Sequence, residues 1–370
     1  MKLLSNGLAA VLLALAAPAA ADWTAFRGGP SNAGVAVGDL PAKPELLWSF
    51  EAGAGFVATA AIAGGTVYAA SLDGRLYALD LATGKERWRY EAGEEIKSSP
   101  LVDAGKGGAT VYFGDESGKL HAVDAATGKA RWTFTADGAI TSSPVAAGDC
   151  IRAGSYDNRL YCVRPESGEA AWSLETESYV HGTPAIAGGD ALVAGCDGYL
   201  RRVRIADGKE VAKIELGGYA AASPAVGGGR AFVGTFENQI RAVDLETGAL
   251  AWTFTAEREF PFYSSAAVAG EGDGALVVLG GRDKEVHALA AADGAERWSW
   301  PAGARVDASP VVAGGRVLAA TTGGVLAALD LATGEPSWTF TAGAPFEASP
   351  AVAGGRLVIG DADGVLYCFG

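Results

Sequence analysis

One phrase, Leu-Tyr-Ala-Leu-Asp-x-x-Thr-Gly-x-x-x-Trp, complete from Leu76 to Trp88, returns along the chain at steps of about 41 residues. Trp48, Trp88, Trp132, Trp172, Trp252, Trp298 and Trp338 end the copies, and Ala212 stands where one more is due. A period of this length without helical periodicity marks a β-propeller blade, a small sheet that must be covered on both faces by its neighbours. Within residues 88–128 the four strands are expected at Trp88–Tyr90, Ser98–Val102, Val111–Gly114 and Leu120–Asp124. Each is short, rich in β-branched or aromatic residues and bounded by turn residues.

The strictest part of the repeat is turn chemistry. In Asp80-Leu81-Ala82-Thr83-Gly84 the carboxylate accepts downstream amides and the glycine takes the positive φ that closes the hairpin. A second set, Asp73-Gly74, Asp197-Gly198 and Asp363-Gly364, closes the preceding hairpin. Motifs present in so many copies serve the fold rather than one ligand. The Trp after each Thr-Gly turn starts the outermost strand and is expected to lay its indole on the next blade.

Inner strands are expected to start at Ala58, Ser98, Ser142, Gly182, Ala222, Ser264, Ala308 and Ala348, which makes eight blades. Trp48-Ser49-Phe50 has no inner strands before it and must therefore complete the last sheet beside Leu366–Phe369. The predicted fold is all-β: an eight-bladed propeller of four-stranded antiparallel blades over residues 48–370, closed by the N-terminal strand joining the last blade. Closure removes the free sheet edges.

Residues 22–47 read as an extended N-terminal segment. Residues 1–21 read as a signal peptide, with Lys2, an apolar stretch from Leu8 to Ala17 and an Ala-x-Ala site before Asp22. Export to the periplasm or beyond is expected, with no membrane span once the signal is removed, since the apolar stretch is short.

A formal charge of −14 argues against nucleic acid as a partner, and 49% hydrophobic against 19% charged residues describes a folded chain with a large core. Of the four cysteines, Cys150 and Cys162 flank one turn on neighbouring strands, where a disulfide and two free thiols are evenly balanced. Cys196 and Cys368 belong to other repeats. There is no Cys-x-x-Cys pair, His121 and His287 fall four blades apart, and no Gly-x-Ser-x-Gly occurs, so neither a metal site nor a catalytic centre is expected.

Three features depart from the repeat and are candidates for function. The residue before each inner strand varies: Val57, Lys97, Thr141, His181, Ala221, Tyr263, Asp307 and Glu347. A ring brings equivalent positions near its axis, so Lys97, His181, Tyr263, Asp307 and Glu347 form a candidate polar collar for a small molecule or glycan. The loop after Trp252 is longer and carries Arg258, Phe260, Phe262 and Tyr263, charged and aromatic together, as interface loops are. Finally, Arg201, Arg202 and Arg204 replace the usual Tyr, Ala and Asp and read as a basic stripe for an acidic partner.

The repeat resembles that of the PQQ-like propellers, a family containing quinoprotein alcohol dehydrogenases and the BamB component of outer-membrane protein assembly. The start Asp22-Trp23-Thr24-Ala25-Phe26-Arg27-Gly28-Gly29-Pro30 also looks like that of exported PQQ-like repeat proteins. Similarity to BamB implies a non-catalytic scaffold that holds a protein partner in the cell envelope, although the lipid-bearing cysteine of such lipoproteins is missing here. Similarity to the dehydrogenases would imply a quinone cofactor under a disulfide of adjacent cysteines. No Cys-Cys pair exists, so neither PQQ nor any other cofactor is expected.

Overall fold

The computed structural model describes residues 22–105, 107–220 and 222–370. The signal peptide expected at residues 1–21 and the collar position Ala221 lie outside them. Among the described residues, thirty-two strands form eight sheets of four antiparallel strands each. Blade 1 runs outward from the axis as Ala61–Ala63, Thr66–Ala70, Arg75–Asp80 and Glu86–Glu91, and blades 2 to 7 repeat it in chain order. Blade 8 takes three strands from Ala351–Phe369 and its outermost from Leu46–Glu51, with Trp48 opposite Cys368 and Phe50 opposite Leu366. The ring is thus stitched shut by its two ends, as the orphan Trp48 strand requires.

The innermost ladders are shorter than the sequence implies. They begin at Ala61 and Leu101 rather than at Ala58 and Ser98, because a residue whose amide is bonded to the next blade intervenes, Thr59 before Ala60 in blade 1 and Ser99 before Pro100 in blade 2. Proline has no N–H to give a ladder, and the amide of the residue before it is spent between blades, as described below. The second strand of each blade is almost wholly buried, while the outermost alternates towards solvent. The core therefore lies between blades.

The repeat tryptophans join neighbouring blades. Trp88 Nε1 donates to Ala125 O of blade 2 at 3.1 Å, and its ring lies where a Cβ on Gly128 would sit, 2.8 Å away. Trp48 on Gly84, Trp132 on Gly168, Trp252 on Gly294 and Trp298 on Gly334 repeat the contact. The Thr-Gly glycine thus supplies both a left-handed turn and a flat seat for an indole.

Blade 4 lacks its tryptophan and fills the gap differently. Ala212 pairs across the sheet with Arg202, whose Nη1 donates to Leu245 O at 2.7 Å, the bond an indole makes elsewhere. Asp190 holds the same guanidinium at 2.7 Å. Arg202→Ala is expected to cost about 1 to 3 kcal/mol through lost hydrogen bonds and an orphaned carboxylate. The double variant Arg202→Ala/Ala212→Trp should recover most of that loss in urea unfolding, and a double no more stable than the single would refute the exchange.

The N-terminal segment is part of the ring's interior. Trp23 bridges Ile62 of blade 1, and Thr24 O, Pro30 O, Ser31 O, Ala33 O and Gly34 O accept amides from the inner strands of blades 2, 4, 5, 6 and 7. Asn32 is buried and its Nδ2 lies within bonding distance of Thr183 O, Pro184 O and Pro224 O. Arg27 is also buried, with Nη2 donating to Ala266 O at 2.7 Å. This stretch, with one short 3-10 turn at Phe26–Gly28, plugs the central channel. Cys150 and Cys162 are bridged across the hairpin of blade 3, with Cα atoms 5.3 Å apart, which decides the evenly balanced reading. Cys368 is a buried thiol and Cys196 a half-buried one. No helix among the described residues is long and apolar enough to cross a membrane.

Candidate functional site

At one rim of the ring, the loops that join consecutive blades meet the hairpins between second and third strands. Eight equivalent bonds tie them, from Leu72 N to Gly55 O in blade 1 round to Ala362 N to Pro345 O in blade 8. Inside this rim the plug leaves a cup of about 290 Å³, with Phe26 as its only lining residue from the plug. Val57, Lys97, Thr141, His181, Tyr263, Asp307 and Glu347 all line it, so the structure brings the sequence-derived collar together.

Two residues below the collar runs a ring of hydroxyls: Thr59, Ser99, Ser143, Thr183, Ser223, Ser265, Ser309 and Ser349, all buried and all lining the cup. At seven junctions the backbone N–H of one of these residues donates to the hydroxyl of the next blade, at 2.8 to 3.1 Å. This girdle explains the second residue of each Ser-Ser-Pro step. It ties inner strands of different blades where no ladder can.

The collar itself is a set of paired charges. Lys97 Nζ lies 3.3 Å from Glu95 and 3.4 Å from Glu116. Arg282 holds Asp307 through two bonds of 2.8 and 3.1 Å and sits 3.4 Å over the Tyr263 ring. His181 Nδ1 shares a 2.7 Å bond with Tyr156 Oη, and burial lowers its pKa below the usual 6.5, so it is neutral at pH 7. Glu347 is exposed. Beneath the ring, burial lowers the pKa of Arg27 to about 9, leaving it a cation at neutral pH.

Glu116, Tyr156 and Arg282 were not among the expected site residues. All three occupy one hairpin position, which reads Leu72, Glu116, Tyr156, Cys196, Phe236, Arg282, Thr322 and Ala362 round the ring. That variation inside an otherwise repeated turn was the available signal.

Two expectations are corrected. Phe262 does not face a partner: it is fully buried, 5.7 Å from His287 in an edge-to-face contact. Phe56, Ile96, Ile140, Val180, Val306 and Phe346 hold the same repeat position and are buried too. Nor do the three arginines form a stripe. Arg201 is only 3% exposed and is bound by Asp197, Glu177 and Glu210 at 2.5 to 2.9 Å, while Arg202 points to the opposite face of its strand and Arg204 is held by Asp207. Arg201 stands where Tyr77 and Tyr161 stand, each bonded to its hairpin Asp at 2.6 Å. It is the arginine form of that latch. Arg258 and Phe260 are exposed at the rim, outside the cup lining, with Arg258 donating to Asp283 O.

His287 is the histidine form of the latch, with Nε2 2.8 Å from Asp283 and Nδ1 2.7 Å from Glu296. Burial disfavours its charge, but the hydrogen bonds to Asp283 and Glu296 outweigh it and raise the pKa above 6.5. A raised pKa stabilises the fold fully below pH 6.5 and loses that contribution as pH climbs through the folded-state value. The stability gap between the native protein and His287→Gln should therefore shrink on going from pH 6 to alkaline pH. A gap in melting temperature that stays constant with pH would exclude a charged His287.

Fold and cup together define an eight-bladed propeller of PQQ-type repeats with one mouth open and the channel below it plugged. The sequence matches the model of the family described as outer membrane protein assembly factor BamB over residues 35–107, 104–236, 181–299 and 282–369, and the chain belongs to that family. The structure of BamB from Moraxella catarrhalis is similar, with a TM-score of 0.72 and 21% identity over 88% of this chain and 99% of that one. So are a quinohemoprotein alcohol dehydrogenase from Comamonas testosteroni (0.73, 14%, 94% and 80%) and a europium-containing methanol dehydrogenase (0.74, 13%, 94% and 98%). At these identities the likeness is one of fold. No curated protein sequence matches the chain.

Proposed function

We propose that the protein is an exported binding module that docks a protein partner in the cell envelope through the cup-side rim and catalyses nothing itself. The observation that carries this reading is an arc of aromatics. Tyr179, Tyr219 and Phe260 are each at least 50% exposed and sit on three consecutive blade-joining loops of that rim. Exposed aromatics grouped on neighbouring loops are anchors for a partner. Glu237, Glu257 and Glu259 are exposed around them against one exposed cation on those loops, Arg258, so the complementary surface is basic. Membership of the BamB family and the signal-like residues 1–21 support the envelope location.

Quinone-dependent oxidation is not supported by the side chains present. Asp307 and Glu116 in the cup are held by Arg282 and Lys97, and among the described residues no group of three His, Cys, Asp or Glu could hold a metal. The disulfide of blade 3 is not part of the cup lining.

A photo-crosslinking residue at position 219 is expected to capture a defined partner in cells, whereas one at position 246 on the opposite rim should not. Tyr179→Ala/Tyr219→Ala/Phe260→Ala should abolish capture from a probe at position 237 while leaving stability within about 0.5 kcal/mol per site, as for exposed substitutions generally. Equal capture from both rims, or an unaffected triple variant, would refute the docking face.

A further inference from the structure

We propose that the cup is a binding site for a single sugar ring. This goes beyond the docking reading and does not depend on it. The wall offers hydrogen-bonding groups of both kinds that the protein leaves unused. A hydroxyl that accepts an amide keeps an O–H to donate, and among the described residues none of the eight ring hydroxyls donates to a protein acceptor. Thr141 Oγ1 in the same wall is buried without a hydrogen-bond partner. His181 and Glu347 stand four blades apart, on opposite sides of the mouth. His181, its Nδ1 tied to Tyr156 Oη, has no protein partner on Nε2 among the described residues, and Glu347 is an exposed carboxylate in the same lining.

The mixture selects the ligand class. A carboxylate or phosphate brings acceptors alone and would meet Glu116, Asp307 and Glu347 on the way in. An ammonium brings donors alone and would meet Lys97 and Arg282, with the buried Arg27 below. A neutral polyol carries a donor and an acceptor on every hydroxyl and pays no such charge penalty. Phe26 on the floor completes the fit, since a sugar ring is polar at its edge and carries C–H groups on its faces, which an aromatic side chain covers. A volume of about 290 Å³ is at the small end of ligand pockets and has room for one ring, not a chain lying across it.

Saturation-transfer NMR on the intact protein, with D-glucose, D-galactose and N-acetylglucosamine as probes at up to about 50 mM, tests this, because ligands of this size bind in the millimolar range or tighter when they bind specifically. At least one probe is expected to give saturable transfer with Kd below about 10 mM. Glu347→Gln, an exposed change, should weaken it about tenfold, the weight of one hydrogen bond to a charged group. Thr141→Val should weaken it less. The α- and β-methyl glycosides of the binding sugar separate two sources: retained binding of either identifies the end of a glycan chain, and loss of both identifies a free reducing sugar. Absence of saturable transfer from all three sugars, or transfer unchanged in both variants with melting temperatures intact, overturns the proposal.

Discussion

Removing residues 22–36 is expected to lower the stability of the ring by more than about 5 kcal/mol, although the deletion touches none of its thirty-two strands. The stretch supplies Trp23, a large side chain only 2% exposed, and carbonyls that accept amides from five inner strands. Without it those amides face an open channel. Loss of the buried indole alone, in Trp23→Ala, should cost about 3 to 5 kcal/mol, and Asn32→Ala, which frees three carbonyls, about 1 to 3 kcal/mol. Urea unfolding of the truncated chain beside residues 22–370 measures the total. A midpoint shift within error of zero would mean that the segment only rests in the channel and that the cup does not rely on its floor.

The second large effect is a contrast between two glycines with nearly the same backbone. Gly128 has φ +70° and Gly248 φ +72°, so alanine pays a left-handed penalty of about 1 to 2 kcal/mol at either. At Gly128 the new Cβ would also lie 2.8 Å from the Trp88 ring, whereas at Gly248 its nearest neighbour is Ile214 Cδ1 at 3.9 Å. Gly128→Ala should therefore cost a further 1 to 3 kcal/mol or so, the usual range for overpacking, and Gly248→Ala should not. Equal losses in denaturant titrations of the two variants would show that the indole moves aside freely and does not lock the blades.

Much of this architecture is legible in residue spacing. The tryptophan period gives the blade length, the inner-strand starts give the number of blades, and the unaccompanied Trp48 strand forces closure with the C-terminus. Even the collar follows, because a ring puts equal repeat positions at equal radius: Lys97, His181, Tyr263, Asp307 and Glu347 line one cup although they lie 250 residues apart at the extremes.

Residue type misleads where repeat position decides the environment. Phe262 sits in an insertion that looks like an interface loop, yet it is the residue before the collar, and that position is buried in every described blade. Arg201 looks like surface charge, yet it occupies the latch position, where a polar side chain reaches the hairpin Asp from inside the sheet.

What the sequence determined by itself is everything periodic: strand spacing, turn chemistry, the number of blades and the way the circle closes, since each copy reports the same local geometry. The tertiary structure alone decided the rest. The path of residues 22–36 across the channel, the pairing of collar charges with hairpin residues, and the exchange of Arg202 for a missing tryptophan all join segments far apart in the chain. No period links such segments; only the shared interior of the closed ring does.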